Sequence, residues 1–493
     1  MTRLTLSPSG RRFEVEPGAA LQDVLFEQGV EFPCGGRGRC KACRVKLLAG
    51  RLEPTAEELD LLTAEEIAQG WRLACRHAAD GDLTLELAQW EMPILGDEAR
   101  FAFVPQTGRG IAIDLGTTTI AAQLLDLETG RVLAVETALN AQARHGADIL
   151  SRVAYAAGGA QPELERLIRV QLGKIVARLI AAAPPGEPPR RIALAGNTVM
   201  HHLFCDIDAT PLATHPFRPE HPERRRLSPA DLNWNLPEET EVEFLPCIGG
   251  LVGADILAGI VATGLHERDG LAALIDLGTN GEVVVGGRDR LLCTSTAAGP
   301  AFEGARITMG MRAATGAISQ VQVDGLNLAC RVIGGGAPRG LCGSGLVDAV
   351  AAGLELGVVR PNGLLAGPLP LAMPVELMPN DVRELQLAKG AIAAGLRLLA
   401  ARLGAAPGDI ETLYLAGAFG NYINRASAAR IGMLRLPVER IVSAGNTALR
   451  GAKRALYEDA AAWDGLARRI EHVALNEEAE FQTAFAEEMR FPG

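Results

Sequence analysis

The pentapeptide Ile-Asp-Leu-Gly-Thr stands twice in this chain, at residues 113–117 and again at 275–279. In both places it ends an apolar run, GIAIDLGT and LAALIDLGT, and a second apolar run follows, TIAAQLLDLETG and EVVVGGRD. Strand, glycine turn and strand predict a β-hairpin, and the repeat of five identical residues predicts an internal duplication. Gly116 and Gly278 let each turn approach a ligand closely. The hydroxyls and amides of Thr117, Thr118, Thr279 and Asn280 can donate to phosphate oxygens. Asp114 and Asp276 stand where a hydrated Mg²⁺ would meet those phosphates, and they are the expected catalytic carboxylates. One such hairpin is a weak signal, but two in tandem are a strong one. No GxxxxGK[ST] occurs, so the phosphate site is not a P-loop.

A second constraint lies near the N-terminus, in FPCGGRGRCKACRV (32–45). Cys34, Cys40, Cys43 and Cys75 are spaced C-x5-C-x2-C-x31-C. TRLTL and RRFEVEP alternate around the turn SPSG and predict a hairpin. ALQDVLFEQGV has helical spacing, and CRVKLLAG and DLTLELA read as further strands. This order resembles the β-grasp fold of [2Fe–2S] ferredoxins, with a first gap one residue longer than the plant type, similar to the adrenodoxin type. Gly35, Gly36 and Gly38 would turn backbone amides toward cluster sulfurs. The alternatives are structural zinc or plain buried thiols. Zinc sites favour two short CxxC pairs, and here Cys34 and Cys75 stand alone. His77 is close to Cys75, but four cysteines complete the set, and it is expected to be a surface histidine. The scattered Cys205, Cys247, Cys293, Cys330 and Cys342 are expected to be core thiols.

The length of 493 residues calls for two or three domains, and 48% hydrophobic with 22% charged residues fits a globular chain. A net charge of −11 argues against nucleic acid or an anionic membrane as the main partner. No apolar stretch long enough for a leader or a membrane span is found, so the expected compartment is the cytoplasm, where cysteines serve as thiols or metal ligands.

LYLAGAFGNYI (413–423) runs from an apolar strand into a glycine turn. It is similar to the adenosine motif of the actin, sugar-kinase and heat-shock-chaperone superfamily, and the two hairpins resemble that superfamily's phosphate motifs. The resemblance implies an α/β fold of two ribonuclease-H-like halves with ATP between them, Gly417 and Gly420 making room for adenosine. The expected domains are a ferredoxin-like domain (1–89), a short link (90–108) and an actin-like ATPase (109–493) with halves of about 109–268 and 269–493. The pairing resembles the reductive activators of corrinoid proteins. LAGNTVMHHLF (194–204), TAAGPAFEGA (296–305), LCGSGLVDAV (341–350), DVRELQLAKGAI (381–392), AGNTALRGA (444–452) and FQTAFAEEMRFP (481–492) carry that resemblance through the chain. Some members of that family have a longer linker and an extra middle domain where residues 90–108 give only a short link.

The family resemblance implies ATP-dependent, one-electron reduction of Co(II) to Co(I), with a corrinoid protein as partner, an upstream electron donor and a homodimer. A [2Fe–2S] cluster of this type lies near about −400 mV, above the cobalt couple, so the transfer runs uphill by a factor of ten per ~59 mV. A nucleotide helps only if it binds two states of the complex differently. The alternatives are an activator of radical dehydratases, an ATP-switched redox sensor or chaperone-like module, and a sugar kinase.

Other residues are read more plainly. Asp348 is either catalytic or a polar helix position. Lys389 is expected to be solvated, with the nucleotide as the rival reading. Ser295 and Thr296 are expected in a turn, with a face toward the corrinoid as the rival reading; His201 and His202 are expected in packing, and GGGAPRG (334–340) in a flexible turn, with a nucleotide loop as its rival. The runs 163–183 and 393–404 are expected to be structural helices.

Overall fold

A computed structural model describes all residues except 8–9, 27, 29, 31, 33–35, 40, 42, 88–100, 147 and 279. The N-terminal sheet is built on the expected hairpin. Thr2–Ser7 pairs antiparallel with Arg12–Val15 and parallel with Leu83–Leu87, which pairs with Arg44–Ala49 and through it with Trp71–Leu73. Alternation puts Leu4, Leu6, Leu83 and Leu85 on one face, and helix Leu21–Phe26 covers them with Leu21, Leu25 and Phe26. The helices Ala56–Leu61 and Ala64–Ala68 each start from a capping box, Thr55 with Glu58 and Thr63 with Glu66.

The duplication appears as topology. In one six-stranded sheet the order is Val132–Leu139, Thr119–Asp126, Arg109–Leu115, Pro189–Gly196, Glu241–Phe244, then Arg225–Leu227. In the other, Leu291–Thr296, Gly281–Gly286, Ala272–Leu277, Thr412–Ala416 and Ile441–Gly445 follow the same 3-2-1-4-5 order, with Ile470–His472 added outside. In both, the first three strands are antiparallel and the fourth and fifth run parallel to the first. The equivalent strands Arg109–Leu115 and Ala272–Leu277 are buried almost throughout, as central strands covered on both faces must be. This is the ribonuclease-H-like fold expected from the sequence.

Helix Gln161–Ala182 buries Leu164, Ile168, Leu172, Ile175 and Leu179, the stripe predicted by helical spacing. Helices Ala254–Thr263 and Thr447–Ala455 pack on each other and join the halves. Residues 101–108 of the expected link do not hang free. Phe101 and Phe103 pack on Tyr457 with ring centroids 5.8 and 4.6 Å away, and Gln106 Nε2 donates to Tyr457 O at 2.9 Å. No helix among the described residues is long and apolar enough to cross a membrane.

Candidate functional site

The antiparallel register of Arg44 with Leu73 brings Cys43, just before one strand, to Cys75, just after the other; Ala74 N–H donates to Cys43 O at 3.0 Å. Cys43 is buried and Cys75 half-buried. The Cys75 thiol is drawn down to about 6, first by a hydrogen bond from Cys43, then by Arg76 and the Gly38 amide, against the opposing effect of burial. Gly36 and Gly38 take φ of +73° and +63°, which glycine alone adopts freely, so the backbone can curl there. Arg76 pins the curl by donating to Gly36 O and to Cys75 O. This is a thiolate-stabilising pocket, and it fits the donor set of an iron–sulfur cluster. Cys34, Cys40 and Gly35 lie outside the described residues. His77 is not a surface residue. Its Nε2 sits 2.8 Å from Oε1 of Glu58, a wholly buried carboxylate that also receives the Leu73 and Thr55 amides. The ring is thus committed to a buried hydrogen bond with that carboxylate.

The two hairpin turns face one cleft between the halves. Of the residues named from the sequence, Asp114, Gly116, Thr117, Thr118, Asp276, Gly278, Asn280 and Gly417 line it. Thr279 lies outside the described residues. Gly420 does not line the cleft; an added Cβ there would meet Leu415 at 3.4 Å, an ordinary contact, so the room for adenosine expected of it falls to Gly417 alone. Gly417 has φ +80°, and a Cβ would lie 2.6 Å from Asp276 Oδ1, so only glycine fits beside that carboxylate.

Several wall residues were not foreseen. Asp255 and Glu282 join Asp114 and Asp276, with Glu282 directly opposite Asp276 in the hairpin register. Burial pushes Asp114 up to about 6, partly countered by Asn446. Burial and the charge of Asp114 push Asp276 to about 7. Burial, then the charge of Asp276, pushes Asp255 to about 8. Burial drives Glu282 well above the ordinary range as well. Among the described residues no three such side chains close on a common point tightly enough to cage a metal by themselves.

Two asparagines complete the wall. Asn197 Nδ2 donates to Thr117 Oγ1 at 2.8 Å, and Asn446 Nδ2 to Asp114 Oδ2 at 2.8 Å. Each also caps a helix, accepting from Met200 and Leu449 amides. The signal was available: Ala-Gly-Asn-Thr occurs at 195–198 and at 444–447. Phe302 and Phe419 stack with centroids 4.5 Å apart, and with Tyr422 they supply an aromatic side suited to a base.

The remaining candidates fall elsewhere. Ser295 and Thr296 belong to strand Leu291–Thr296 and not to a turn; Ser295 Oγ donates to Glu282 at 3.1 Å, and Thr296 Oγ1 to Gly281 O at 2.8 Å. Asp348 is buried and accepts from Val321 N–H at 3.3 Å, a polar helix residue away from the cleft. Lys389 is neither solvated nor at the nucleotide. It is fully buried, and its Nζ donates to Arg490 O at 2.8 Å. His201 and His202 are buried packing residues, as expected. GGGAPRG is a turn, with Gly334, Gly335 and Gly336 all at positive φ.

A [2Fe–2S] ferredoxin-like fold joined to an actin-like ATPase is the class of protein that this geometry defines. Family models agree in order. The 2Fe-2S iron-sulfur cluster binding domain matches residues 4–80, the RACo middle region residues 109–268, and the C-terminal domain of RACo, the ASKHA domain, residues 270–493. The middle-region model thus falls on the segment read from sequence as the first half of the ATPase. The corrinoid activation enzyme RamQ of Eubacterium limosum is 34% identical over 407 residues, 76% of this chain and 68% of that protein. The [Co(II) methylated amine-specific corrinoid protein] reductase of Methanosarcina barkeri is 28% identical over 389 residues, 71% of this chain and 70% of that one. A solved structure of a reductive activator for a corrinoid, iron-sulfur protein superposes with a TM-score of 0.69 at 25% identity, covering 100% of this chain and 98% of its own. The chain belongs to the family of reductive activators of corrinoid proteins.

Proposed function

We propose that this chain is an ATP-dependent reductase that returns the cobalt of a corrinoid protein from Co(II) to Co(I), one electron at a time. The observation that carries the reading is the presence in one polypeptide of two pockets with opposite electrostatics, a thiolate-stabilising loop and a carboxylate-walled cleft. Cys34, Cys40, Cys43 and Cys75 would hold a [2Fe–2S] cluster, which supplies a low-potential one-electron carrier when bound. Cys43 and then Arg76 favour the Cys75 thiolate, and Arg76 fixes the Gly36 turn. Thr117, Thr118, Thr279 and Asn280 would donate to the phosphates, and Asp114 and Asp276 would face Mg²⁺ through its waters. Asn446 fixes the orientation of Asp114, and Asn197 that of Thr117. Gly417 keeps the adenosine side open beside Asp276. A homodimer, an upstream electron donor and a cytoplasmic setting complete the proposal.

The deciding experiment mixes a Co(II) corrinoid protein with the reduced chain and follows the Co(I) absorption with and without ATP. Co(I) should form with ATP and scarcely without it. Equal formation in both, or none in either, removes the proposal.

A further inference from the structure

Among the described residues the ferredoxin-like domain is tied to the ATPase by ion pairs in both halves, and each tie is continuous with a wall of the cleft. In the first half, Leu139, Ala141 and Ala143 pack against the ferredoxin-like core. The Arg144 guanidinium lies 3.3 Å from Asp23 and 4.7 Å over the Phe26 ring. Asn140, fully buried within the same segment, reaches the opposite way. Its Nδ2 donates to Gly116 O at 2.9 Å, and its N–H to Thr118 O at 2.8 Å. In the second half, Arg339 pairs with Glu86 of the ferredoxin-like sheet. Just beyond it, Cys342, Gly343 and Ser344 line the cleft.

On the other side of the first tie, Asp23 and Phe26 belong to helix Leu21–Phe26, which backs the cysteine loop. Leu21 N–H donates to His77 O at 2.9 Å, and Gln22 lies so close to Gly36 that an added Cβ would meet its Oε1 at 2.0 Å.

We propose that these contacts form a strap across the two halves, making cleft opening and seating of the cluster-bearing domain one equilibrium, with Asn140, Arg144 and Arg339 as positioning residues. The inference rests on the reading of the cleft as the nucleotide site. Two-lobed folds close on a ligand by hinge rotation. The Arg144 and Arg339 pairs are made together at one opening, so rotation that draws the halves onto a nucleotide works against the strap. Each pair faces solvent and is weak alone, as a seat that must be left on demand requires. By reciprocity, ATP loosens the seat by the factor with which the seat weakens ATP. Leaving the seat frees the domain to carry its electron to the corrinoid partner.

The test uses the full chain with its cluster. ATP affinity is measured for wild type, for Arg144→Glu and Arg339→Glu, and for the charge swaps Arg144→Glu with Asp23→Arg and Arg339→Glu with Glu86→Arg. Each reversal is expected to tighten ATP about threefold to tenfold, and each swap to restore the wild-type value. In wild type, amide exchange at Leu21–Phe26 is expected to rise at least about threefold on adding ATP. Because that measurement needs no variant, it decides the matter even where a reversal fails to fold. Exchange indifferent to ATP, or affinity unchanged in both reversals, overturns the strap while ATP binding persists. A wild-type chain that binds no ATP overturns the cleft assignment itself.

Discussion

At Cys75 a neighbouring thiol and a guanidinium draw the sulfur down to about 6, while in the cleft burial lifts Asp114 to about 6, and burial with the charge of a neighbouring carboxylate lifts Asp276 and Asp255 to about 7 and 8. Both sites hold groups that titrate near neutrality, yet they reach that range from opposite ends. In the loop, donors surround an anion and prepare it for a soft metal. In the cleft, buried and crowded carboxylates favour their neutral form, and a cation would favour the charged one. The opposite signs explain how one chain keeps two cofactors apart: neither site is suited to the other's ligand.

The largest expected effect separates the two completely. Cys75→Ser should abolish the visible absorption and bound iron, and with them all cobalt reduction, while calorimetry finds ATP binding intact. Complete loss of ATP binding in the same variant, far beyond the threefold to tenfold coupling of the strap, would mean that the cleft needs the cysteine loop in order to form. Asp276→Ala is the mirror experiment. The brown colour should persist while ATP-stimulated reduction falls by roughly a hundredfold, the scale of removing a charge-stabilising group from a catalytic site. Normal cobalt reduction by that variant would sink the phosphate assignment.

A finer cut lies within the cleft. Asn446 is the partner that holds Asp114 down against burial. Asn446→Ala should weaken Mg·ATP about tenfold, in line with losing a hydrogen bond to a charged group, and Asn197→Ala should do less because its partner in the cleft is a neutral hydroxyl. Isothermal titration of both variants ranks them, and the reverse order would show that Thr117 matters more than Asp114.

How much of this could be read beforehand follows the distance over which each contact acts. The hairpins, the duplicated turns and helix 161–182 were legible because strand alternation, a glycine turn and helical spacing are local patterns. The capping boxes at Thr55 and Thr63 were equally local but passed unread. Asn446 was not legible as a partner of Asp114, since 332 positions separate them, and only the repeated Ala-Gly-Asn-Thr hinted at a shared role. The burial of Lys389 was hidden for a related reason. A lysine on a helix reads as solvated until a distant tail, here Arg490 and Phe491, is folded over it. Ser295 and Thr296 were misplaced because a short polar pair ending an apolar run looks like a turn, whereas pairing with Gly281–Gly286 keeps them in the sheet.

Lys389 also gives the comparison its control, and the smallest effect. Like the cleft carboxylates it is shifted by burial, but it lies outside the cleft lining. Burial lowers its ammonium from 10.5 to about 8, with Glu488 opposing and Arg435 adding to the shift. Between those values the unfolded chain binds the proton and the folded chain does not. Stability therefore rises as pH rises from about 8 toward 10.5, a slope that Lys389→Met should remove. Urea midpoints of wild type and variant across that window measure the difference; the slope is the readout, since losing the bond to Arg490 O lowers both ends alike. A wild-type slope equal to the variant's would show that burial of this depth does not shift a charge here. The raised carboxylates of the cleft would then owe their position to one another's charge, and the contrast with the cysteine loop would narrow to a difference in neighbours alone.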